Sequence, residues 1–210
     1  MSVAVDESLR YITIMDQSCG WLDGRQRNNT SQFGEDGLIE AVLEKIGETN
    51  RWCFEVGASD GLFYSNTKRL RDAGWRAVLV EGNSLSFEKC RSFESPLVHV
   101  VHQKIKANSL DNILAGVGAP IRMDFGVIDI DGQDYWAWDG LRTFRPRVML
   151  VEFMYLNENF HNPYFIPAVG EEGQAGLEAI CDLGRSKGYT PIVSTYCNVL
   201  FVDKDAWASN

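Results

Sequence analysis

The stretch Trp52-Cys53-Phe54-Glu55-Val56-Gly57-Ala58-Ser59-Asp60-Gly61 decides how the rest of the chain is read. Its first half is a short, mostly apolar run, the mark of a strand buried on both faces. The glycines that follow break the strand, let the backbone come close to a ligand and turn free amides toward it. The GxGxxG spacing of a dinucleotide site is absent, so no pyrophosphate cradle is expected. Glu55, near the strand end, suits a ligand with a cationic amino group.

Outward from this stretch, helix-like and strand-like patterns alternate. Upstream, Leu38, Ile39, Val42, Leu43 and Ile46 recur at helical spacing and predict an amphipathic helix over about 35–47. Downstream, Ser65 is expected to cap a helix running to about Ala73, with Gly74 as its stop. Ala77–Val80 reads as the second strand and ends at Glu81. Further strands are expected at 97–101, 125–130, 148–153, 190–194 and 198–203. Helices are expected through Phe87 and Cys90, over Leu110–Leu114, through Trp136, Trp138 and Leu141, and over about 173–187. The last two strands are joined too tightly for parallel pairing, which needs a crossover, and so form an antiparallel hairpin. The expected fold class is α/β: a Rossmann-like sheet, mostly parallel with a C-terminal antiparallel hairpin and helices on both faces. Residues 1–30 carry no readable periodicity and are set apart as an N-terminal extension; 31–210 read as one domain.

Composition excludes several functions. Twenty basic against 29 acidic residues leave a formal charge of −9, which repels phosphate backbones and argues against a nucleic-acid partner. No apolar run is long enough to span a membrane, and the N-terminus lacks a secretory pattern, so no membrane partner and a cytoplasmic location are expected. The five cysteines are odd in number and form no CxxC pair, as in a reduced compartment. Three scattered histidines are too few for a zinc cage. Oligomeric state is not legible in the sequence.

Four groups carry candidate chemistry. The glycine turn comes first, with Gly57, Ala58, Ser59 and Gly61. Glu81 is second: a carboxylate there, twenty positions after Gly61, can accept hydrogen bonds from both ribose hydroxyls. Third is Ile128-Asp129-Ile130-Asp131-Gly132-Gln133-Asp134, at the C-terminal edge of a strand, where open α/β sheets bind ligands. Strand alternation turns Asp129 and Asp131 the same way, where they raise each other's pKa. Asp131 can instead cap the next helix. Fourth is the long loop 154–171, whose Tyr155, Asn157, Asn159, His161, Asn162 and Tyr164 suit a hydroxylated substrate. His161 there has the right unperturbed pKa to abstract a proton.

With these motifs in place, the chain resembles the FkbM-type methyltransferases. Glu55-Val56-Gly57-Ala58-Ser59-Asp60-Gly61 is similar to the family's acidic-x-Gly-Ala-Asn-x-Gly. Val80-Glu81 is similar to its second element, and Ile128–Asp134 to its Lys-Ile-Asp-Val-Glu-Gly-Ala-Glu. Pro146-Arg147-Val148 through Val151-Glu152 adds a fourth match, so the likeness spans about half the chain. Ser59 replaces the usual Asn, Asp131 the usual Glu, and Val127 stands where the third motif opens on Lys.

The resemblance implies an S-adenosylmethionine (SAM)-dependent methyltransferase, acting on a hydroxyl of a sugar, glycan or polyketide-like small molecule. It implies that Glu55, Gly57, Gly61 and Glu81 contact SAM and that Asp129 lies by the reaction centre; Ala58, Ser59 and Asp129 complete the expected cofactor-binding set. Asp129 or His161 is then the base, and Tyr64 or Phe63 the aromatic face for the sulfonium. A thinner similarity to magnesium-dependent sugar O-methyltransferases makes Asp129 or Asp131, with Glu152, candidate ligands of a divalent cation, which is not favoured over a metal-free site. The competing readings are a non-catalytic nucleoside-binding module for partner recognition and a nicotinamide oxidoreductase.

Overall fold

The computed structural model describes residues 11–155 and 162–208. Eight strands form one sheet: β1 (Thr13–Ile14), β2 (Trp52–Val56), β3 (Arg76–Glu81), β4 (Val98–His102), β5 (Phe125–Ile128), β6 (Val148–Glu152), β7 (Tyr189–Ser194) and β8 (Asn198–Asp203). The helices are α1 (Glu35–Ile46), α2 (Lys68–Asp72), α3 (Ser84–Cys90), α4 (Leu110–Gly116), α5 (Asp134–Asp139), α6 (Leu177–Ser186) and α7 (Lys204–Ala208).

The spatial order is β1-β7-β8-β6-β5-β2-β3-β4. Strands β2 to β6 pair in parallel, while β8 pairs antiparallel to both β6 and β7. The expected fold class is therefore observed. After β2 the chain winds outward through β3 and β4, then returns to lay β5 on the other side of β2. The direction of winding reverses between β2 and β5, and such a switch point opens a crevice at the C-terminal edge.

Alternation along the central strands divides the core between the two faces. Cys53, Ala77, Leu79, Phe125, Val127 and Leu150 pack with the stripe of α1 and with Trp75. Phe54, Val56, Val78, Ile128, Met149 and Val151 face the other way, onto Leu110, Leu114, Trp138 and Ile180. Each central strand is thus mostly apolar, because both of its faces are covered, with acids only near the C-terminal ends.

Four local expectations shift. The unread segment holds an edge strand, β1, paired with β7, and a 3-10 turn, Gln17–Leu22, that sends Cys19 and Leu22 into the core. Such short pieces carry no period to read. The helix after Gly61 starts at Lys68, not at Ser65, because the Ser65 hydroxyl donates to Glu55 instead of capping. Strand β5 stops at Ile128, and α6 begins at Leu177 rather than near 173. All five cysteines are free, four of them buried.

Candidate functional site

The turn after β2 is locked by internal contacts, and the free amides expected there are taken up: besides Gly57 and Ala58, Ser59 donates to Glu81 and Gly61 to the Ala58 carbonyl. The amides of Gly57 and Ala58 both donate to the carbonyl of Val80, and the amide of Asp129 donates to that of Val56. Gly57 has φ +83°, and a Cβ there would stand 1.6 Å from the Asp129 carbonyl oxygen. Only glycine permits that approach. Gly61, at φ +76°, ends the turn against the Phe93 ring, while Ser59 takes φ +48°.

Glu81 closes one side. One carboxylate oxygen accepts from the Ser59 amide at 2.7 Å and the other from the Asn83 amide at 2.6 Å. The carboxylate is thereby oriented beside the turn, and its remaining lone pairs can accept further donors.

Glu55 behaves differently from the direct ligand contact expected of it. It is 3 % exposed, and its oxygens accept from the Asn66 amide and the hydroxyls of Ser65 and Thr67, at 2.6–2.7 Å. Burial pushes its carboxyl above the usual range, while those bonds and nearby Arg71 pull it back. Its geometry makes it the anchor of the loop between Gly61 and α2.

Across the switch point lie the carboxylates. Asp129, Asp131 and Glu152 each place an oxygen within 4.8 Å of the others. Strand alternation is not the cause, because β5 has already ended at Ile128. Asp131 sits at φ +55°, and its amide donates to Glu152 at 3.1 Å. The turn is held by a residue that sequence reasoning left without a role. Asp134 is fully buried and accepts from the amides of Ile130 and Gly132 at 2.8 and 3.0 Å. Asp134, not Asp131, therefore ties down the start of α5. An acid two residues after Gly132 was the available signal.

Burial comes first in raising the carboxyls of Asp129, Asp134 and Glu152 above the ordinary range, and mutual repulsion adds to it. Such a group either shares protons among its members or takes up a positive charge. Its hard oxygen donors fit a divalent cation at Asp131 and Glu152, with Asp129 alongside.

A wall of rings borders the acids. Tyr155, three residues past Glu152, stacks on Tyr196 of the β7–β8 turn with centroids 4.0 Å apart. Phe33 and Tyr11 pack on the same tyrosine. Buried Glu35 joins the parts, accepting from the Phe33 amide, the Thr195 hydroxyl and the Asn198 side chain. Asn198 lies opposite Glu152 in the sheet register. Phe63 and Tyr64 stand exposed beyond the glycine turn. The expected base His161, with Asn157 and Asn159, lies outside the described residues.

A cavity of about 580 Å³ opens elsewhere, between α1 and α2. Its rim charges are spent on one another: Glu40 pairs with Arg27 and Arg69, Glu44 with Arg25, and Asp72 with Lys68. No candidate base or nucleotide-binding carboxylate reaches it.

No family model matches the chain, and no curated protein matches it. Solved structures do. An O-methyltransferase from Bacillus cereus, in complex with S-adenosylhomocysteine, aligns at TM-score 0.53 and 19 % identity over 89 % of this chain and 86 % of that one. The N-terminal domain of EvdMO1, with S-adenosylhomocysteine bound, aligns at TM-score 0.51 and 15 % identity over 80 % of each chain. The chain shares the Rossmann-like fold of these methyltransferase structures.

Proposed function

We propose that the chain is a SAM-dependent methyltransferase that methylates a hydroxyl of a sugar, glycan or polyketide-like small molecule. The observation that carries this reading is the Glu81 carboxylate held beside the glycine turn by the Ser59 and Asn83 amides, at the C-terminal edge next to the β2–β5 switch point. The methyltransferase structures of the same fold, each with S-adenosylhomocysteine bound, support the same cofactor.

Gly57, Ala58, Ser59 and Gly61 would hold SAM by backbone approach, Glu81 by its ribose, and Asp129 by the methionine end. Glu55 shapes the loop over them from beneath. Bound SAM supplies an electrophilic methyl group. With the methyl donor and acceptor in place, Asp129 would accept the acceptor's hydroxyl proton. A raised pKa suits that task, since the best base titrates near the working pH. Tyr155 and Tyr196 offer ring faces to the acceptor. Proton sharing within the carboxylate group is taken as its resting condition, so EDTA should leave transfer unchanged.

Calorimetric titration with SAM, S-adenosylhomocysteine and NAD tests the cofactor, and methyl transfer from labelled SAM into glycosides and polyphenols tests the chemistry. Saturable NAD binding without SAM binding would overturn the reading. SAM binding with no transfer to any acceptor would favour the non-catalytic module.

A further inference from the structure

Large apolar side chains on the surface are distributed unevenly. Eleven of them among the described residues are at least 40 % exposed. Two, Leu97 and Ile121, precede β4 and β5 at the N-terminal edge of the sheet. The other nine all lie at the C-terminal edge of the sheet, in the segments that follow or precede strand ends there. On one flank Leu62 and Phe63 follow the glycine turn, and Leu85, 80 % exposed, sits in the first turn of α3 just past Glu81. On the other, Tyr155 leaves β6, and Tyr164 and Val169 project from the loop that leads to α6. That loop is tied to the same edge: Gln133 donates to the carbonyls of Ala168 and Glu171, and the Trp136 indole to that of Pro167.

Scattered exposed apolar residues need no account, but their concentration on one edge of a sheet does. Between the two flanks the edge is polar, because Asp129, Asp131 and Glu152 stand together where β5 and β6 end. An occupant must therefore have two parts. One end is polar and carries donors for carboxylates. The remainder is apolar and long enough to leave the crevice and lie on the rim. The stretch between the flanks is acidic and the whole chain carries −9, so the polar end is not an anion.

We infer that the acceptor is an amphiphile, with a neutral hydroxyl-bearing head that enters the crevice and an alkyl-like body that rests on the rim formed by Leu62, Leu85, Tyr164 and Val169. This rests on the methyltransferase reading and narrows its acceptor class. Each methylene that leaves water for the rim strengthens binding, so chain length should act on the acceptor and not on the cofactor.

The probes are octyl β-glucoside, methyl β-glucoside and octyl sulfate, each titrated calorimetrically into the full chain below its micelle concentration with S-adenosylhomocysteine present. Octyl glucoside should bind saturably, at least tenfold tighter than methyl glucoside and at least tenfold tighter than octyl sulfate. The double variant Leu85→Ser, Val169→Ser should remove the advantage of the octyl chain and leave the cofactor titration unchanged. Both sites are surface positions, so folding should survive. Equal binding of the two glucosides, no saturable octyl glucoside binding, or an octyl advantage that persists in the double variant would overturn the inference. So would a dimer of the native chain that the double variant dissolves, since the rim would then serve self-association. Failure of the methyltransferase reading shows separately, as absence of SAM binding to the native chain.

Discussion

Gly57 and Asp129 meet backbone to backbone, with the glycine Cα so close to the Asp129 carbonyl that a methyl group placed on it would overlap that oxygen at 1.6 Å. The contact joins the ends of β2 and β5 at the one place in the sheet where the winding reverses.

Gly57→Ala must therefore part the two strand ends as well as force a side chain into positive φ. A loss of more than about 3 kcal/mol is expected, at the severe end for point changes. Gly61→Ala meets the Phe93 ring edge at 2.8 Å and the Cys90 Sγ at 3.1 Å, side chains rather than backbone, and should cost less. Urea denaturation of both variants gives the comparison, and an equal loss would refute the distinction.

Glu55 and Glu81 end neighbouring strands and differ in what they do. Glu81→Ala frees two amides at the crevice surface, where water can replace the carboxylate, so stability should change by only about 1 kcal/mol. Its affinity for SAM should fall at least about tenfold, the scale of one lost charge-assisted contact. Glu55→Ala strands an amide and two hydroxyls in the interior, with a loss of about 3 kcal/mol expected. Thermal melting and SAM titration of the pair separate the roles, and the assignment fails if Glu81→Ala is the more destabilised of the two.

The carboxylate group predicts a pH dependence. Unfolded carboxyls titrate near pH 4. In the folded chain Asp129, Asp134 and Glu152 keep their protons to higher pH. From about pH 4 up to those raised values the native state binds more protons than the unfolded one, so this group lowers stability as pH rises. Glu152→Gln should flatten that slope and melt above the native chain at pH 8, by about 2–4 °C for each kcal/mol of relieved repulsion. Melting curves from pH 5 to 8 check it; a slope unchanged in the variant would show that the group is not responsible.

Asp124 predicts the opposite sign at the other edge of the sheet. It is fully buried, pairs with Arg147 at 3.0 Å and accepts from the amides of Thr49, Asn50 and Arg51. Burial would raise its carboxyl, but the Thr49 hydroxyl, which donates to it at 2.6 Å, and the amides of Arg51, Thr49 and Asn50 outweigh that and hold the group below the ordinary range. Its contribution is complete above about pH 4 and is lost as pH falls through the lowered folded value. Asp124→Asn leaves the Arg147 charge buried, and a loss of about 3 kcal/mol is expected at pH 7, shrinking toward acid. A penalty that grew on acidification would contradict this.

The hydrophobic periods of the sequence determined the parallel core and its helices, because burial on one face or two leaves a repeat that local reading can count. Glu81 and the glycine turn were legible for a related reason: each sits at a fixed place where a strand ends. Only the tertiary structure decided that Glu55 faces Ser65 and Thr67, and that Asp134 rather than Asp131 secures the next helix. It also decided that Tyr11, Phe33, Tyr155 and Tyr196 form one wall. Those outcomes depend on contacts between segments up to about 185 residues apart in sequence, and on a single left-handed residue at Asp131 that carries the chain off the strand. Neither leaves any periodic trace along the chain, because a side chain's partner is chosen by the space around it and not by its sequence neighbours.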